Sequence, residues 1–288
     1  MTTISRSAVA CCFLLMLHLG ARAQDAGSPE DRDWSAAAEL TGVWTAGNAE
    51  SSTFGLNATV LRQWPQATLK LEGGGIRTET VRFTRHAVGI AGDFDVVEET
   101  DRQRTAESYY ALARYDRELG SNLYVFGGLD WLRNTFAGIS SRTVAAVGAG
   151  NLWINSDRTR LKTDAGLTYT IQEDVVENPG ISSNFAGVRA GLDLWKFISS
   201  TTEFTSVVVA DLNLDETDDV RVDWTSSLPV AISSRLALKP SLRLLWRNQP
   251  SLAELPLVRP DGSSTGQVVT APLEKTDLLF TLALVVKL

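Results

Sequence analysis

Few residue types that carry out covalent or metal chemistry occur in the body of this chain. His86 is the single histidine after position 18, and both cysteines, Cys11 and Cys12, fall within the first twenty residues. One histidine without cysteine excludes zinc and haem sites with the usual ligand sets. A lone histidine in a loop is more often a solvated residue than a general base. No spacing indicates a serine–lysine or paired-carboxylate site, so we predict no catalytic residue, no metal site and no cofactor.

Two clusters of carboxylates are the remaining candidates for ligand chemistry, because hard divalent cations prefer grouped carboxylate oxygens. The clusters consist of Asp93, Asp95, Glu98, Glu99 and Asp101, and of Asp215, Glu216, Asp218 and Asp219. Neither has the Asp-x-Asp-x-Asp-Gly spacing of a calcium-binding loop. We interpret both as solvated loop charges.

The charges with the most regular spacing alternate with apolar residues. In residues 161–171, Lys162 and Asp164 point to one side of an extended chain, while Leu167 and Tyr169 point to the other. A strand this long that is apolar on one face needs an apolar environment for that face. The same alternation recurs in 203–212 and 236–246, so the charged faces are expected to share one polar interior.

The elements that must position these charges are alternating segments of about ten to fourteen residues, separated by polar or glycine-rich turns. Strands of soluble proteins average about five to six residues, whereas a tilted strand needs roughly nine to eleven to cross a bilayer. A membrane barrel also presents one face to lipid and the other to a polar lumen. The segments therefore predict an all-β fold, a transmembrane antiparallel β-barrel of the outer-membrane type.

We predict about twelve strands, an even number as single-chain outer-membrane barrels require. Their ranges are 34–45, 50–62, 67–79, 103–115, 122–133, 139–153, 159–172, 183–195, 201–213, 219–230, 235–247 and 274–288. With both termini in the periplasm, the connections alternate between short turns and external loops. The two longest loops, 80–102 and 248–273, both fall on the external side; the second, with four prolines, could instead fold inward as a plug.

The inward faces of these strands carry charges of both signs. The predicted lumen-lining residues are Lys70, Glu72, Arg114, Asp130, Arg133, Lys162, Asp164, Arg189, Asp193, Glu203, Asp211, Arg221, Asp223, Lys239 and Arg243. A diffusion pore selects ions by the balance of such charges, whereas a structural barrel pairs them across the lumen. Mixed signs favour pairing, and about twelve strands allow either an open or a filled interior.

The eight tryptophans form a second pattern, because amphipathic rings favour the headgroup level at both edges of a barrel. Four lie at the predicted periplasmic ends and four at the outer ends. The predicted aromatic girdle is Trp34, Trp64, Trp153 and Trp195 below, with Trp44, Trp131, Trp224 and Trp246 above.

The N-terminus has the pattern of an export signal. Residues 1–23 combine Arg6, an apolar stretch and the small-residue end Ala21-Arg22-Ala23, which predicts a cleaved signal peptide. Residues 24–33 then form a short periplasmic segment, and 34–288 form the barrel. The net charge of −7 argues against nucleic acid as a partner.

Three segments resemble a known family. The stretch 109–150, YYALARYDRELGSNLYVFGGLDWLRNTFAGISSRTVAAVGAG, is similar to the YdiY-like family, described as salt-induced outer-membrane proteins. GNAESS at 47–52 resembles the Gly-Asn turn of that family, and EKTDLLFTLALVVKL at 274–288 resembles its closing strand. The pattern covers nearly all of the chain after the signal peptide.

The most specific part of the resemblance is Tyr115-Asp116 together with Tyr124 and Arg133. It implies an outer-membrane β-barrel without an established biochemical activity. Barrels of this kind commonly end in Phe or Trp, part of the signal read by the insertion machinery, whereas this chain ends in Leu288.

Three functional hypotheses follow. The first is an envelope protein of a Gram-negative bacterium, a narrow channel or a structural barrel, with a link to salt stress that only the resemblance implies. The second is an outer-leaflet lipid-modifying enzyme, and the third is a protein that binds ligands or surfaces through its loops. The expected partners are outer-membrane lipid, lipopolysaccharide and the barrel-insertion machinery, with small solutes or ions as possible cargo.

Overall fold

The structure, a computed structural model, describes residues 33–45, 50–90, 93–180 and 182–288. The predicted signal peptide, nearly all of the 24–33 segment and the Gly-Asn turn at 47–48 lie outside these ranges. Within them no helix is long and apolar enough to cross a bilayer.

Antiparallel strands make up most of the described chain. They are β1 (Trp34–Thr45), β2 (Glu50–Trp64), β3 (Ala67–Ile90), β4 (Asp93–Glu118), β5 (Leu123–Asn134), β6 (Ile139–Asn155), β7 (Thr159–Asp174), β8 (Asn184–Phe197), β9 (Glu203–Asn213), β10 (Val220–Ser227), β11 (Val230–Ala231), β12 (Leu236–Arg247), β13 (Leu252–Val258), β14 (Ser264–Pro272) and β15 (Thr276–Lys287). Twelve of them, all except β11, β13 and β14, form a closed antiparallel barrel. The predicted barrel of twelve strands is confirmed.

The barrel closes through β15, which lies between β12 and β1. Its pairing with β12 is long, from Leu236 opposite Val286 to Trp246 opposite Thr276. The pairing with β1 is short and runs only from Ala37 opposite Lys287 to Leu40 opposite Leu284. Beyond Leu40 the described parts of β1 and β15 are not paired with each other, so this seam is the least extensive pairing around the ring.

Alternating side chains give the barrel wall two different faces. In β7, Leu167, Tyr169 and Ile171 are more than half exposed on the outside, whereas Thr168 and Thr170 are buried inside. Because side chains alternate along a strand, this pattern places apolar groups outside and polar groups in the lumen. Closure of the barrel therefore joins the apolar faces of the individual strands into one continuous outer surface.

The predicted loop 80–102 is wrong, because β3 and β4 continue through it to Ile90 and Asp93. The register sets Arg82 opposite Asp101 and Arg85 opposite Glu98. A segment whose composition looks like a charged loop therefore continues as two paired strands.

The predicted loop 248–273 is also partly wrong, because it contains the hairpin of β13 and β14. Gly262 in its turn has φ 82°, a conformation that favours glycine. Most of both strands is exposed, so the hairpin projects into solvent and does not plug the lumen.

Candidate functional site

The lumen holds most of the charges that the alternation predicts for it. The cross-strand register and the ion pairs place these residues on the inner face: Lys70, Glu72, Arg114, Asp130, Lys162, Asp164, Arg189, Asp193, Glu203, Asp211, Arg221, Asp223, Lys239 and Arg243. They come from eight of the strands, so only barrel closure brings them together.

Arg133 lies on the opposite face from the one predicted. In β5, Asp130 and the buried Leu132 point inward, so Arg133 points outward with Leu129 and Trp131. Residues three positions apart on a regular strand face opposite sides. Asp130 and Arg133 therefore could not both line the lumen.

A cluster around Arg114 lies on the inner face of β4, β5 and β7. Its Nη2 donates to Oδ2 of Asp164 at 2.7 Å, and its Nε donates to Oδ1 of Asp116 at 2.8 Å. Lys162 lies 3.6 Å from the same Asp116, and the Tyr124 hydroxyl donates to Asp164 at 3.1 Å. Arg114 is on β4 and Asp164 on β7, strands that are not neighbours. The pair therefore connects β4 to β7 over the inner face of β5 and β6.

Aromatic rings pack directly against the wall beneath this cluster. The Arg114 guanidinium lies 4.2 Å above the Phe126 ring. A Cβ atom on Gly148 would lie 2.7 Å from that ring, and one on Gly150 would lie 2.3 Å from the Tyr124 ring. Glycine in β6 thus allows the rings to approach its backbone, and both rings are almost fully buried.

A second cluster is centred on Arg189. Its Nη1 donates to Asp130 at 2.6 Å, and its Nε and Nη2 donate to the two carboxylate oxygens of Asp211 at 2.7 and 3.0 Å. These residues lie on β8, β5 and β9. One guanidinium therefore joins three strands. β8 and β9 are neighbours in the wall, whereas β5 is adjacent to neither of them.

Further pairs line the remaining wall. Arg243 binds both oxygens of Asp223, at 3.1 and 2.6 Å, and Lys239 donates to Glu39 at 2.6 Å. On β3, Lys70 lies 2.5 Å from Glu72, which also accepts a hydrogen bond from Tyr110 at 2.9 Å. The lumen charges are thus largely paired with one another.

A segment leading into the β13–β14 hairpin covers the mouth of the lumen near the long connections. Ser251 is 2% exposed. Its Oγ accepts from Nη1 of Arg247 at 2.8 Å and donates to Oδ1 of Asp174 at 3.3 Å. Arg247 ends β12 and Asp174 ends β7, so Ser251 bridges distant strands across the mouth.

Asp219, in the turn before β10, has no exposed surface. Arg221 binds both of its oxygens, Arg247 approaches to 3.4 Å, and Asn213 donates at 3.3 Å. Burial by itself raises the pKa of Asp219, but the two arginines outweigh burial and hold that pKa below its usual range. The carboxylate is therefore charged at neutral pH and shared between two cations.

Most of the predicted girdle tryptophans lie on the outer face. Trp34 and Trp64 flank Arg62, whose guanidinium lies 4.8 and 4.6 Å from their ring centres. The outer Trp131, Trp153 and Trp224 each donate the indole N–H to a hydroxyl on a neighbouring strand. Trp246, opposite Val222, also belongs to this face.

Trp195 departs from the girdle. It shares the inner face with Arg189, and its indole donates to Oε2 of Glu203 at 3.0 Å. Its ring lies 5.6 Å from the guanidinium of Arg160. The side chain of Trp44 lies outside the described residues.

Four residues at the mouth were missed by the reasoning from sequence: Arg142, Gln172, Arg247 and Ser251. Alternation was sufficient to find Arg247, which is four positions after Arg243 and so faces the same side. Ser251 follows the end of a strand, where no periodic pattern applies.

The acidic clusters and His86 gain no site. In the described chain no group of three or more His, Cys, Asp or Glu is arranged to hold a metal ion. The side chains of His86 and of most of the first acidic cluster lie outside the described residues.

Comparisons with solved structures return membrane barrels. The translocator domain of the autotransporter NalP from Neisseria meningitidis has a TM-score of 0.40 at 12% identity, over 88% of this chain and 86% of that one. An anion-selective porin from Comamonas acidovorans has a TM-score of 0.35 at 12% identity, over 88% and 96%. A Pseudomonas aeruginosa FadL homologue also scores 0.35, at 10% identity, over 88% and 74%.

The sequence comparisons are more specific. The chain is 25% identical over 150 residues to "Uncharacterized protein YdiY" of Escherichia coli strain K12, which is 51% of this chain and 56% of that protein. The matched region thus spans little more than half of that relative. A family model described as "Protein of unknown function, DUF481" matches residues 38–287, nearly the whole described barrel. The chain therefore belongs to the DUF481 family.

Proposed function

We propose that this protein is an outer-membrane barrel of a Gram-negative envelope whose lumen is held closed by paired charges. The observation that carries the proposal is the pair of bridges between strands that are not neighbours, Arg114 to Asp164 and Arg189 to Asp130. An open pore keeps its wall charges solvated and available to ions. Here the same charges are bound to each other inside the lumen.

The apolar exterior supports a membrane location. Phe280, Leu278 and Leu282 on β15 are each more than half exposed. Exposed apolar area of this extent on a monomer marks a surface that meets lipid or protein. Outer-membrane lipid and lipopolysaccharide are the expected surroundings, and the barrel-insertion machinery is the expected assembly partner. Fractionation of cell envelopes tests this location.

Single-channel conductance in planar bilayers, at two salt concentrations, tests the closed lumen. We expect refolded protein to insert and remain almost silent, and an Arg114→Ala/Arg189→Ala variant to conduct with raised selectivity for cations. Arg133→Ala, which removes a cation from the outer face, is the matched control and should stay silent. Steady conductance of the unmodified protein that is indifferent to the two lumen arginines would contradict the proposal.

The link to salt is a separate part of the proposal, and the family resemblance is its support. A deletion strain should grow normally in ordinary medium and more slowly at high osmolarity, and the gene for Arg114→Ala/Arg189→Ala should fail to restore growth. Equal growth of the deletion and parent strains in salt would contradict the link to salt. The proposal includes no catalytic step, so His86→Ala should leave envelope lipids unchanged.

Loop-mediated binding is the second candidate, favoured by the apolar surface of the projecting hairpin. Leu255, Val258 and Val268 are between about half and two thirds exposed. Deletion of 252–272 joins Ser251 to Leu273, which are already linked by a hydrogen bond of 2.9 Å. If the hairpin binds a surface, this deletion should abolish binding of whole cells while the barrel still folds.

A further inference from the structure

A cavity at the mouth of the barrel, lined in part by Ser251, has a volume of about 70 Å³. The ends of β5, β6, β9, β10, β12 and β15 contribute to its walls. Three arginines line it, Arg142, Arg221 and Arg247, together with apolar side chains such as Leu132 and Ile139. A concave space with apolar walls and a few convergent polar groups is the usual form of a small-molecule site.

The three arginines are incompletely neutralised. Arg221 and Arg247 share the single carboxylate of Asp219. Among the residues that the structure describes, the guanidinium of Arg142 has neither an ion pair nor a hydrogen bond, and the charges that act on it are those of Arg221, Asp211, Arg247 and Asp223. The two aspartates are already bound, Asp211 to Arg189 and Asp223 to Arg243.

Two buried side-chain atoms also lack partners in the described chain, one on Arg247, which lines the cavity, and one on Gln172, which lies beside Arg142 but outside the lining. Nη2 of Arg247 is a donor without an acceptor, and Oε1 of Gln172 is an acceptor without a donor. Gln172 lies directly across the β6–β7 pair from Arg142. Buried polar groups are nearly always hydrogen-bonded, and an unmade bond to a charged group is costly. The unpaired donor of Arg247 and the unpartnered guanidinium of Arg142 therefore indicate a missing acceptor in the cavity.

We propose that this cavity is a binding site for a small oxyanion, a carboxylate or a phosphate, held by Arg142 and Arg247 with Arg221 behind them. Guanidinium groups bind such oxygens through two parallel N–H bonds. Ser251 limits the site to small ligands, because it covers the mouth. The site requires a folded barrel but not a conducting one.

Two carboxylates that are not bound to an arginine also line the cavity and oppose the binding of an anion. Glu274 and Asp277 lie at its rim, and both are exposed. They repel an anion, so the ligand must reach the inner arginines and not remain at the rim. Glu274→Gln/Asp277→Asn should therefore bind the same oxyanion at least as tightly as the unmodified protein.

Isothermal titration calorimetry of the refolded full chain with inorganic phosphate, and separately with butyrate, tests the site. We expect one ligand per chain for at least one probe, and about ten-fold or greater weakening in Arg142→Gln, since a charge-assisted contact is lost. The affinity of Arg142→Lys, which keeps the positive charge but not the planar guanidinium, should lie between those of the unmodified protein and Arg142→Gln. Arg133→Gln, on the outer face, should bind normally. A response to phosphate alone assigns a phosphoryl ligand, and a response to butyrate alone assigns a carboxylate.

Urea unfolding separates loss of the site from loss of the fold. Arg142→Gln removes an unpaired charge, so without ligand it should unfold at the same or a higher urea concentration than the unmodified protein. The probe that binds should raise the unfolding midpoint of the unmodified protein and leave that of Arg142→Gln unchanged. The proposal is overturned if neither probe binds, or if both proteins respond alike.

Discussion

Single arginines organise the lumen, because each of two guanidinium groups binds two carboxylates. Arg114 holds Asp116 and Asp164, and Arg189 holds Asp130 and Asp211. The planar fork of arginine presents several N–H groups in fixed directions, which a lysine ammonium cannot reproduce. The identity of these residues therefore matters beyond their charge.

Replacement of Arg189 by Gln leaves two carboxylates facing each other without a cation. Breaking a buried pair is strongly destabilising, and partial exposure of Asp130 and Asp211 reduces the effect to about 2 kcal/mol. Urea unfolding followed by tryptophan fluorescence should show this loss. Lys70→Gln is the control, because the side chain of Lys70 is 42% exposed and its pair is worth less than about 1 kcal/mol. Equal losses in both variants would refute the role of Arg189.

Glycine in the lumen wall is the second feature at this scale. A Cβ atom on Gly148 would meet the carbonyl oxygen of Ala165 at 2.3 Å as well as the Phe126 ring. Gly148→Ala should destabilise the barrel by about 2 kcal/mol, as overpacking of a close contact does. Gly127→Ala is the matched control, since nothing lies within 4 Å of its Cβ position. Unfolding midpoints of the two variants check the difference.

Among the elements, the β13–β14 hairpin is fixed to the barrel by its base. Ser251 packs on Gly138, in the connection between β5 and β6, where a Cβ atom would lie 2.4 Å from Ser251 Cβ. Gly138 also accepts a hydrogen bond from the amide of Val175 at 2.9 Å. The hairpin base, the β5–β6 connection and the end of β7 thus form one unit across the mouth.

Gly138→Ala should release this unit. Gly138 has φ 74° and Gly266 in the hairpin has φ 72°, so alanine at either position costs about 1 kcal/mol in backbone conformation. The clash with Ser251 occurs only at Gly138, because nothing lies within 4 Å of the Cβ position of Gly266. Hydrogen exchange at the amides of Leu273 and Val175 should accelerate in Gly138→Ala and not in Gly266→Ala.

For the molecule as a whole, the seam between β1 and β15 is where the ring is held by the fewest backbone bonds. β12 pairs with β15 from Leu236 to Trp246, whereas β1 pairs with it only from Ala37 to Leu40. Phe280 and Leu282, on the part of β15 that pairs with β12 but not with β1, are exposed on the outer surface. A backbone group without a partner is costly in lipid, so this end of the seam is the least stable part of the wall.

Hydrogen exchange in lipid nanodiscs should therefore be faster for residues 41–45 and 276–283 than for the fully paired β6 and β7. Local opening follows the number of backbone bonds that must break. Protection at the seam equal to that of β7 would show that the barrel is closed along its whole height.

The sequence by itself determined the strand number, the polarity of the two faces and most of the lumen charges. Alternation with a period of two assigns each residue to a face before any pairing is known, as in β7 from Lys162 to Ile171. It assigned Arg133 wrongly only because the period was not followed strictly from Asp130. The extended β3–β4 hairpin was missed since charged residues on both strands resemble a solvated loop.

The tertiary structure alone decided which charges meet. Arg114 and Asp164 are fifty residues apart, and their 2.7 Å contact depends on the curvature and register of four strands. Arg142 is a second case. Its guanidinium has no partner in the described chain because Asp211 is bound to Arg189 and Asp223 is bound to Arg243. A periodic pattern specifies on which side of a strand a residue lies. It does not specify the height of that residue in the barrel or its distance from a residue across the lumen, because both follow from the stagger of the strands in the closed barrel.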